Sequence, residues 1–143
     1  MKKTKIIIAL IIISIIGISI FVIYNLNNNI EVKEDYYLKL IGGAGEIMNT
    51  TYLYWDGGQE AEYVCSRSVT KSWGSDEWDE TPTKKGKLQF VQGIYDIAKE
   101  NHSFGYVIIN RDIQLEKNNI NYKKGDMLTI EQLYELFNVI GPK

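Results

Sequence analysis

The hydrophobic and polar positions divide the chain into one continuous apolar run and a longer region of mixed pattern. Residues 6–24, IIIALIIISIIGISIFVIY, contain no charged side chain, and the next charge is Glu31. As an α-helix this run is about 28 Å long, close to the roughly 30 Å hydrocarbon core of a bilayer. We therefore predict a transmembrane helix from Ile6 to Tyr24 that inserts into the lipid bilayer.

The charges that flank the apolar run predict its orientation. Lys2, Lys3 and Lys5 precede it, and basic flanks stay in the cytoplasm. The protein is therefore expected in the cell membrane, single-pass, with a cytoplasmic N-terminus. The predicted organisation is a basic tip and signal-anchor helix (1–24), a polar linker (25–33) and an extracytoplasmic domain (34–143).

A cleaved signal peptide is the alternative interpretation of the same segment. Gly17 and Ser19 form a small-x-small pair, and cleavage after Ser19 would release a secreted protein. The apolar run continues beyond this point through residues 20–23, where a cleaved protein usually turns polar. The pattern therefore favours the uncleaved anchor.

The first part of the domain after the linker has the residue pattern of β-strands. Residues 36–41 form a strand candidate closed by Gly42-Gly43. Residues 50–55 and 59–69 flank Asp56-Gly57-Gly58, which is typical of a β-hairpin. Residues 70–87 contain Gly, Pro and many charges, so they are expected to form an exposed loop.

The second half of the domain alternates between helix and strand patterns. Residues 88–101 favour a helix, with a strand as the alternative, and residues 104–110 favour a buried strand. Residues 113–115 and 120–122 form a possible second hairpin. Thr129 with Gln132 fits a capping box, and Gly141-Pro142 ends the helix that follows. The predicted fold is α+β: one N-terminal transmembrane helix, then a small antiparallel-sheet domain with a C-terminal helix.

One short segment resembles a known family. Residues 122–128, YKKGDML, followed by a helix, are similar to the opening of a LysM peptidoglycan-binding repeat. The similarity covers only the first half of such a repeat, because that family's second helix and closing strand do not follow.

Composition narrows the function classes. Without the three N-terminal lysines, 13 basic residues remain against 18 acidic ones, a net charge of −5. An acidic domain repels phosphate backbones, so nucleic-acid binding is not expected. A single cysteine excludes an intrachain disulfide and a multi-thiolate zinc site. The abundance of Ile, Lys and Asn suggests an AT-rich, Gram-positive-like genome.

Few residues are candidates for catalysis or metal binding. Cys65 and His102 would form a nucleophile–base pair only if the fold brought them together. The sequence favours a structural role for both, with Cys65 as a buried thiol and His102 as a polar turn residue, so no catalytic residue is assigned. Asp76, Glu77 and Asp79, with Glu80, could offer oxygen ligands to Ca²⁺, but they lack calcium-loop spacing and favour a solvated loop. No metal and no cofactor is expected.

Aromatic side chains are the candidates for binding. Trp73 and Trp78 lie in the predicted loop, where they either anchor a contact or fold back over the core. Tyr52 and Tyr54 belong to a tyrosine-rich strand whose exposed side could hold a ligand. We predict a protein-interaction module at the cell envelope. The alternatives are a domain that binds wall glycan or a small ligand and, less favoured, a small exported enzyme; the sequence indicates no oligomeric state.

Overall fold

The computed structural model describes residues 1–142, with side chains described for residues 1–23 and 29–142. Contacts within the chain define two compact units, Met1–Ile30 and Glu31–Lys143.

The first unit is a single helix, α1 (Lys2–Asn28). Its segment Lys2–Ile23 is long and apolar enough to cross a membrane. The hydroxyls of Ser14 and Ser19 donate to the carbonyl oxygens of Leu10 and Ile15, at 2.9 and 2.8 Å. Both hydroxyls therefore have hydrogen-bond partners within the helix, which a polar group needs when it lies in the hydrocarbon core of a bilayer. The side chains of Tyr24 and of the linker residues 25–28 lie outside the described residues.

The second unit is built on a six-stranded antiparallel sheet in the order β4-β3-β2-β1-β5-β8. Two helices and a two-stranded hairpin complete it, which confirms the predicted α+β fold. The strands are β1 (Leu38–Ala44), β2 (Ile47–Tyr54), β3 (Glu60–Thr70), β4 (Trp78–Gln89), β5 (Tyr106–Ile109), β6 (Ile113–Leu115), β7 (Ile120–Tyr122) and β8 (Met127–Leu128). The helices are α2 (Gln92–Glu100) and α3 (Ile130–Ile140).

Alternate residues of the strands point to opposite faces of this sheet. On the face we call the core face, Leu38 lies opposite Leu53 on β2 and Ile109 on β5. Leu53 in turn lies opposite Tyr63 on β3. These residues share one hydrophobic cluster with the buried side chains of α2 and α3. We call the opposite side the second face; it carries Lys39, Tyr52, Tyr54 and their neighbours.

Several local predictions are confirmed. β2 and β3 form the hairpin around Asp56-Gly57-Gly58, and β6 pairs with β7 as the second hairpin. Thr129 caps α3: its Oγ1 accepts from the Gln132 N–H at 3.2 Å, and the Gln132 Oε1 accepts from the Thr129 N–H at 2.9 Å. α3 ends at Ile140, directly before Gly141-Pro142.

The prediction of a loop over residues 70–87 is wrong for most of that range. β4 pairs antiparallel with β3 from Trp78 to Gln89, and only residues 71–77 form the turn. The strand is polar because it lies at the edge of the sheet and nearly all of it is exposed. Pro82 is tolerated there because an edge strand has one side without a partner.

Two boundaries also differ from the sequence prediction. Gly42-Gly43 does not close β1, which continues to Ala44. Gly43 has φ +136°, and a Cβ at this position would collide with the Ile47 carbonyl oxygen, so the strand needs glycine here. The helix predicted over residues 88–101 begins at Gln92, because Leu88 and Gln89 complete β4.

Candidate functional site

The two tyrosines predicted to bind a ligand lie on the second face of the sheet. Tyr52 lies opposite Val64 on β3, and Tyr54 lies opposite Glu62. Both positions alternate with Leu53, which points into the core. Trp78 lies opposite Thr70 and belongs to the same face, because Thr70 follows Val64 by six residues along β3. Three of the four predicted binding residues therefore share one face.

Tyr52 is the centre of a compact group on this face, which we call the tyrosine cluster (Tyr36, Lys39, Tyr52, Ser66 and Glu80). The rings of Tyr36 and Tyr52 meet edge to face, with centroids 5.1 Å apart. The Lys39 Nζ lies 5.7 and 5.9 Å from the two ring centroids, within cation–π range. The cluster therefore combines aromatic faces with one positive charge.

A carboxylate closes the cluster on its β4 side. The hydroxyls of Tyr52 and Ser66 both donate to the Glu80 Oε1, each at 2.7 Å. Burial, followed by this hydrogen bond and the charge of Glu80, raises the pKa of Tyr52 above its usual value. The phenol is therefore a fixed donor at neutral pH, and it holds the Glu80 carboxylate against the sheet.

Tyr54 belongs to a cleft at the end of the sheet where the β2–β3 hairpin turns. Its hydroxyl accepts from the Lys33 N–H at 2.9 Å and donates to the Lys33 carbonyl oxygen at 3.0 Å, so this ring is tied to the segment before β1. The cleft, which we call the acidic cleft, has a volume of about 450 Å³. It is lined by Asp35, Tyr54, Trp55, Asp56, Glu60, Ala61, Glu62 and Lys87.

The aromatic wall of the acidic cleft is rigid. The Trp55 ring stacks on Phe90, with centroids 3.9 Å apart and planes 3° from parallel, and it meets Tyr37 edge to face. Its Nε1 donates to the Gly58 carbonyl oxygen at 2.7 Å. With four carboxylates against one lysine, the cleft suits a cationic or hydroxyl-rich group.

The two tryptophans of the β3–β4 hairpin differ in exposure. Trp73 lies in the turn and is 91% exposed, whereas Trp78, at the start of β4, is 39% exposed. The turn is closed by the Lys71 N–H, which donates to the Glu77 carbonyl oxygen at 2.9 Å. The interpretation that these tryptophans fold back over the core is therefore wrong for Trp73.

The acidic residues of this hairpin do not converge. Glu80 points to the tyrosine cluster, while Glu77 lies 3.4 Å from the Lys71 Nζ as an exposed ion pair. Among the residues that the structure describes, no group of three or more His, Cys, Asp or Glu side chains is placed to hold a metal ion. The calcium interpretation of this segment has no geometric support.

Cys65 and His102 have different environments. Cys65 is only 2% exposed, and its Sγ lies 3.8 Å from the Thr51 Oγ1. Burial raises the pKa of the Cys65 thiol, which keeps it protonated at neutral pH, the opposite of what a nucleophile requires. His102 is exposed in a turn with φ 56°, and its backbone N–H bonds to the Lys99 carbonyl oxygen.

Sequence reasoning missed most residues of the acidic cleft and of the tyrosine cluster. Asp35, Glu60 and Lys87 are far apart in sequence and meet only because β2 pairs with β1 and β3 pairs with both β2 and β4. Glu80 reaches Tyr52 and Ser66 only because residues 78–89 form a strand, which the sequence pattern does not predict. In the sequence, the only indication of a shared surface is that Glu60, Glu62 and Val64 alternate along one strand and therefore lie on one face.

Comparison with known proteins adds no functional information. No protein-family model matches this chain, LysM included, and neither the curated proteins nor the solved structures contain a similar one.

Proposed function

We propose that this protein is a membrane-anchored module whose Glu31–Lys143 unit binds another protein at the outer face of the cell membrane. The observation that carries the proposal is the 91% exposure of Trp73 at the tip of the β3–β4 hairpin. Tryptophan is rare at such a position in an isolated domain and is enriched among the residues that dominate binding energy at protein interfaces.

The charge around Trp73 favours a protein over a lipid surface as the partner. Within the turn and the first residues of β4, Asp76, Glu77 and Asp79 outnumber the single cation Lys71. Anionic headgroups repel such a segment. A protein surface with a hydrophobic pocket and basic residues around it complements both the indole and the carboxylates.

The proposed membrane anchor is α1. Its apolar segment reaches Ile23 and is preceded by Lys2, Lys3 and Lys5, the arrangement that keeps an N-terminus in the cytoplasm. This topology places the sheet domain outside the membrane. If the segment were instead a signal sequence that is cleaved, the same domain would be secreted without an anchor. The mass of the mature protein distinguishes the anchored form from the cleaved one.

The test is affinity capture of the C-terminally tagged, full-length protein from gently solubilised membranes. We expect a stoichiometric protein partner with the wild type, and at least tenfold less of it with Trp73→Ala. Met127→Ala is the matched control, since Met127 is 67% exposed and lies on β8 at the other end of the sheet. Equal recovery with both variants, or no partner at all, would contradict the proposal.

The acidic cleft favours a second candidate function, the binding of a wall fragment or another small ligand. Tyr54 and Trp55 offer an aromatic wall, and the carboxylates offer acceptors for hydroxyl or amino groups. In a Trp73→Phe/Trp78→Phe variant, Trp55 is the single remaining indole and reports on the cleft directly. A saturable change of its fluorescence on adding wall fragments, abolished by Asp56→Asn/Glu60→Gln, would support this function; a flat titration would reject it.

A further inference from the structure

The outer edge of β4 is the longest unpaired backbone of the sheet domain. β4 is the terminal strand of the sheet, and within the described residues only β3 pairs with it. It has 12 residues, whereas β8 at the other end of the sheet has two. An unpaired edge of this kind exposes N–H and C=O groups on which a further strand can be added.

The charges of β4 are segregated along its length. Its first half carries Asp79 and Glu80, and its second half carries Lys84, Lys85 and Lys87. In an antiparallel pair of two β4 strands, the first half of one lies beside the second half of the other. Acidic residues then meet lysines at both ends, whereas a parallel pair would place like charges side by side.

The faces of the sheet are consistent with this pairing. Glu80 lies opposite Ser68, and Lys85 lies opposite Val64, so both side chains belong to the second face. Rotation about a two-fold axis perpendicular to the sheet keeps each side chain on its face. A register that places Glu80 of one copy opposite Lys85 of the other also places Trp78 opposite Lys87, where a cation–π contact forms.

Glu80 is held over the second face of its own sheet. Tyr52 and Ser66, on β2 and β3, donate to its Oε1 with two hydrogen bonds of 2.7 Å, so in the dimer its Oε2 is the oxygen that accepts from Lys85 of the second copy. Trp78, two residues earlier, has 39% of its surface exposed and can be covered by the second copy.

The middle of β4 is unsuited to pairing. Pro82 has no N–H to donate, and the register with β3 shifts beside it, leaving Thr83 as an extra residue. The interface therefore consists of two short ladders, one on each side of the two-fold axis. In each ladder, residues 78–81 of one copy pair with residues 84–87 of the other. Edge lysines and proline usually prevent aggregation. Here the acidic first half makes the same lysines complementary to a second copy in the antiparallel orientation only, and this pairing closes as a dimer.

We propose that the protein forms a two-fold homodimer by antiparallel pairing of the β4 edges, with Glu80 of each copy facing Lys85 of the other. This interface does not use Trp73, so it is independent of the protein-binding function proposed above; Lys87 is the one residue that it shares with the acidic cleft. It joins two six-stranded sheets into one continuous sheet.

The experiment measures the mass of the full-length protein in detergent micelles by sedimentation, over a range of concentrations and salt. We expect a dimer whose dissociation constant rises roughly tenfold or more in Lys85→Glu/Lys87→Glu, because symmetry repeats twice both the like-charge contact of Glu80 with position 85 and the loss of the cation opposite Trp78. Lys117→Glu/Lys124→Glu makes the same charge change away from β4 and is expected to leave the dimer unchanged.

A charge exchange makes the test specific. Adding Glu80→Lys to Lys85→Glu/Lys87→Glu restores opposite charges across the axis and should recover dimerisation, with folding checked by circular dichroism. A monomeric wild type at the highest concentrations reached would overturn the proposal. A dimer that Lys85→Glu/Lys87→Glu leaves as tight as the control would also overturn it, since the contact would then lie elsewhere, for instance in α1.

Discussion

On the core face of the sheet, Leu38, Leu53 and Ile109 are fully buried beneath α2 and α3. On the second face, the equivalent alternate positions hold Lys39 and Tyr52, whose polar atoms contact rings or a carboxylate. The two faces use the same strands, and neighbouring residues such as Tyr52 and Leu53 belong to different environments. Burial of apolar area stabilises both faces, since Ile41 and Val64 are buried on the second face, and hydrogen bonds and ring contacts add to the stability of the second.

The two faces are expected to tolerate substitution to different degrees. A buried leucine leaves a cavity when it is truncated, and the surrounding side chains relax only partly. Tyr52 and Ser66 are also buried, but removing one of their two hydrogen bonds to Glu80 leaves the carboxylate with the other donor, at a smaller cost. Loss of one polar contact on the second face is therefore expected to cost less than truncation of a leucine on the core face.

The largest expected effect is that of a core-face truncation. Leu53→Ala removes a fully buried side chain and should lower the free energy of unfolding by about 3 kcal/mol. Urea unfolding followed by far-ultraviolet circular dichroism measures the difference. Lys39→Ala, on the strand beside it, is the control and should cost less than about 1 kcal/mol. Equal losses in both variants would remove the distinction between the faces.

Alkaline pH tests both faces at once. Burial raises the pKa of Tyr95 in the core cluster, as burial and Glu80 raise that of Tyr52. A phenol whose pKa is raised on folding contributes stability below the unfolded value, near 10, and loses it as the pH rises further.

The free energy of unfolding should therefore fall above about pH 10, by at most about 1.4 kcal/mol per pH unit for each such phenol. Tyr52→Phe and Tyr95→Phe should each make the fall less steep. Urea midpoints measured from neutral to strongly alkaline pH give the slope. A pH-independent midpoint in this range would contradict the burial of both phenols.

A smaller effect is expected when one hydrogen bond of the second face is removed. Tyr52→Phe deletes the donor to Glu80 and should cost about 1 kcal/mol at neutral pH. Ser66→Ala removes the other donor to the same oxygen. Because the two bonds share one acceptor, the double variant should depart from additivity, which a double-mutant cycle measures. Strict additivity would mean that the tyrosine cluster is not a unit.

The elements with strong local signals could be predicted from sequence. The apolar run of α1, the Asp56-Gly57-Gly58 turn and the Thr129 capping box each depend on residues close together in the chain. β4 could not, because its stability comes from pairing with β3 and its own residues are those of an exposed loop. Which strands pair depends on contacts across the whole sheet, and the β-propensity of a single segment says little about its pairing.

The candidate sites follow the same division. The aromatic residues were recognisable as binding candidates one by one. Their arrangement was not, since the Tyr52–Glu80 contact spans 28 residues and requires β4. The acidic cleft likewise joins Asp35 to Lys87 across three strands. A site assembled from different strands becomes visible only when their register is known.

The smallest expected effect on stability belongs to the residue with the largest proposed role in binding. Trp73 is 91% exposed, so truncating it removes almost no packing within the domain. Trp73→Ala should change the free energy of unfolding by less than about 0.5 kcal/mol. Urea unfolding is again the measurement, with Leu53→Ala as the destabilised reference. A loss comparable to that reference would show that the indole packs against the domain in solution, and capture experiments with the variant would then report on folding instead of contact. An unchanged stability distinguishes loss of contact from loss of folding, because any partner lost with Trp73→Ala must then have been bound by the indole itself.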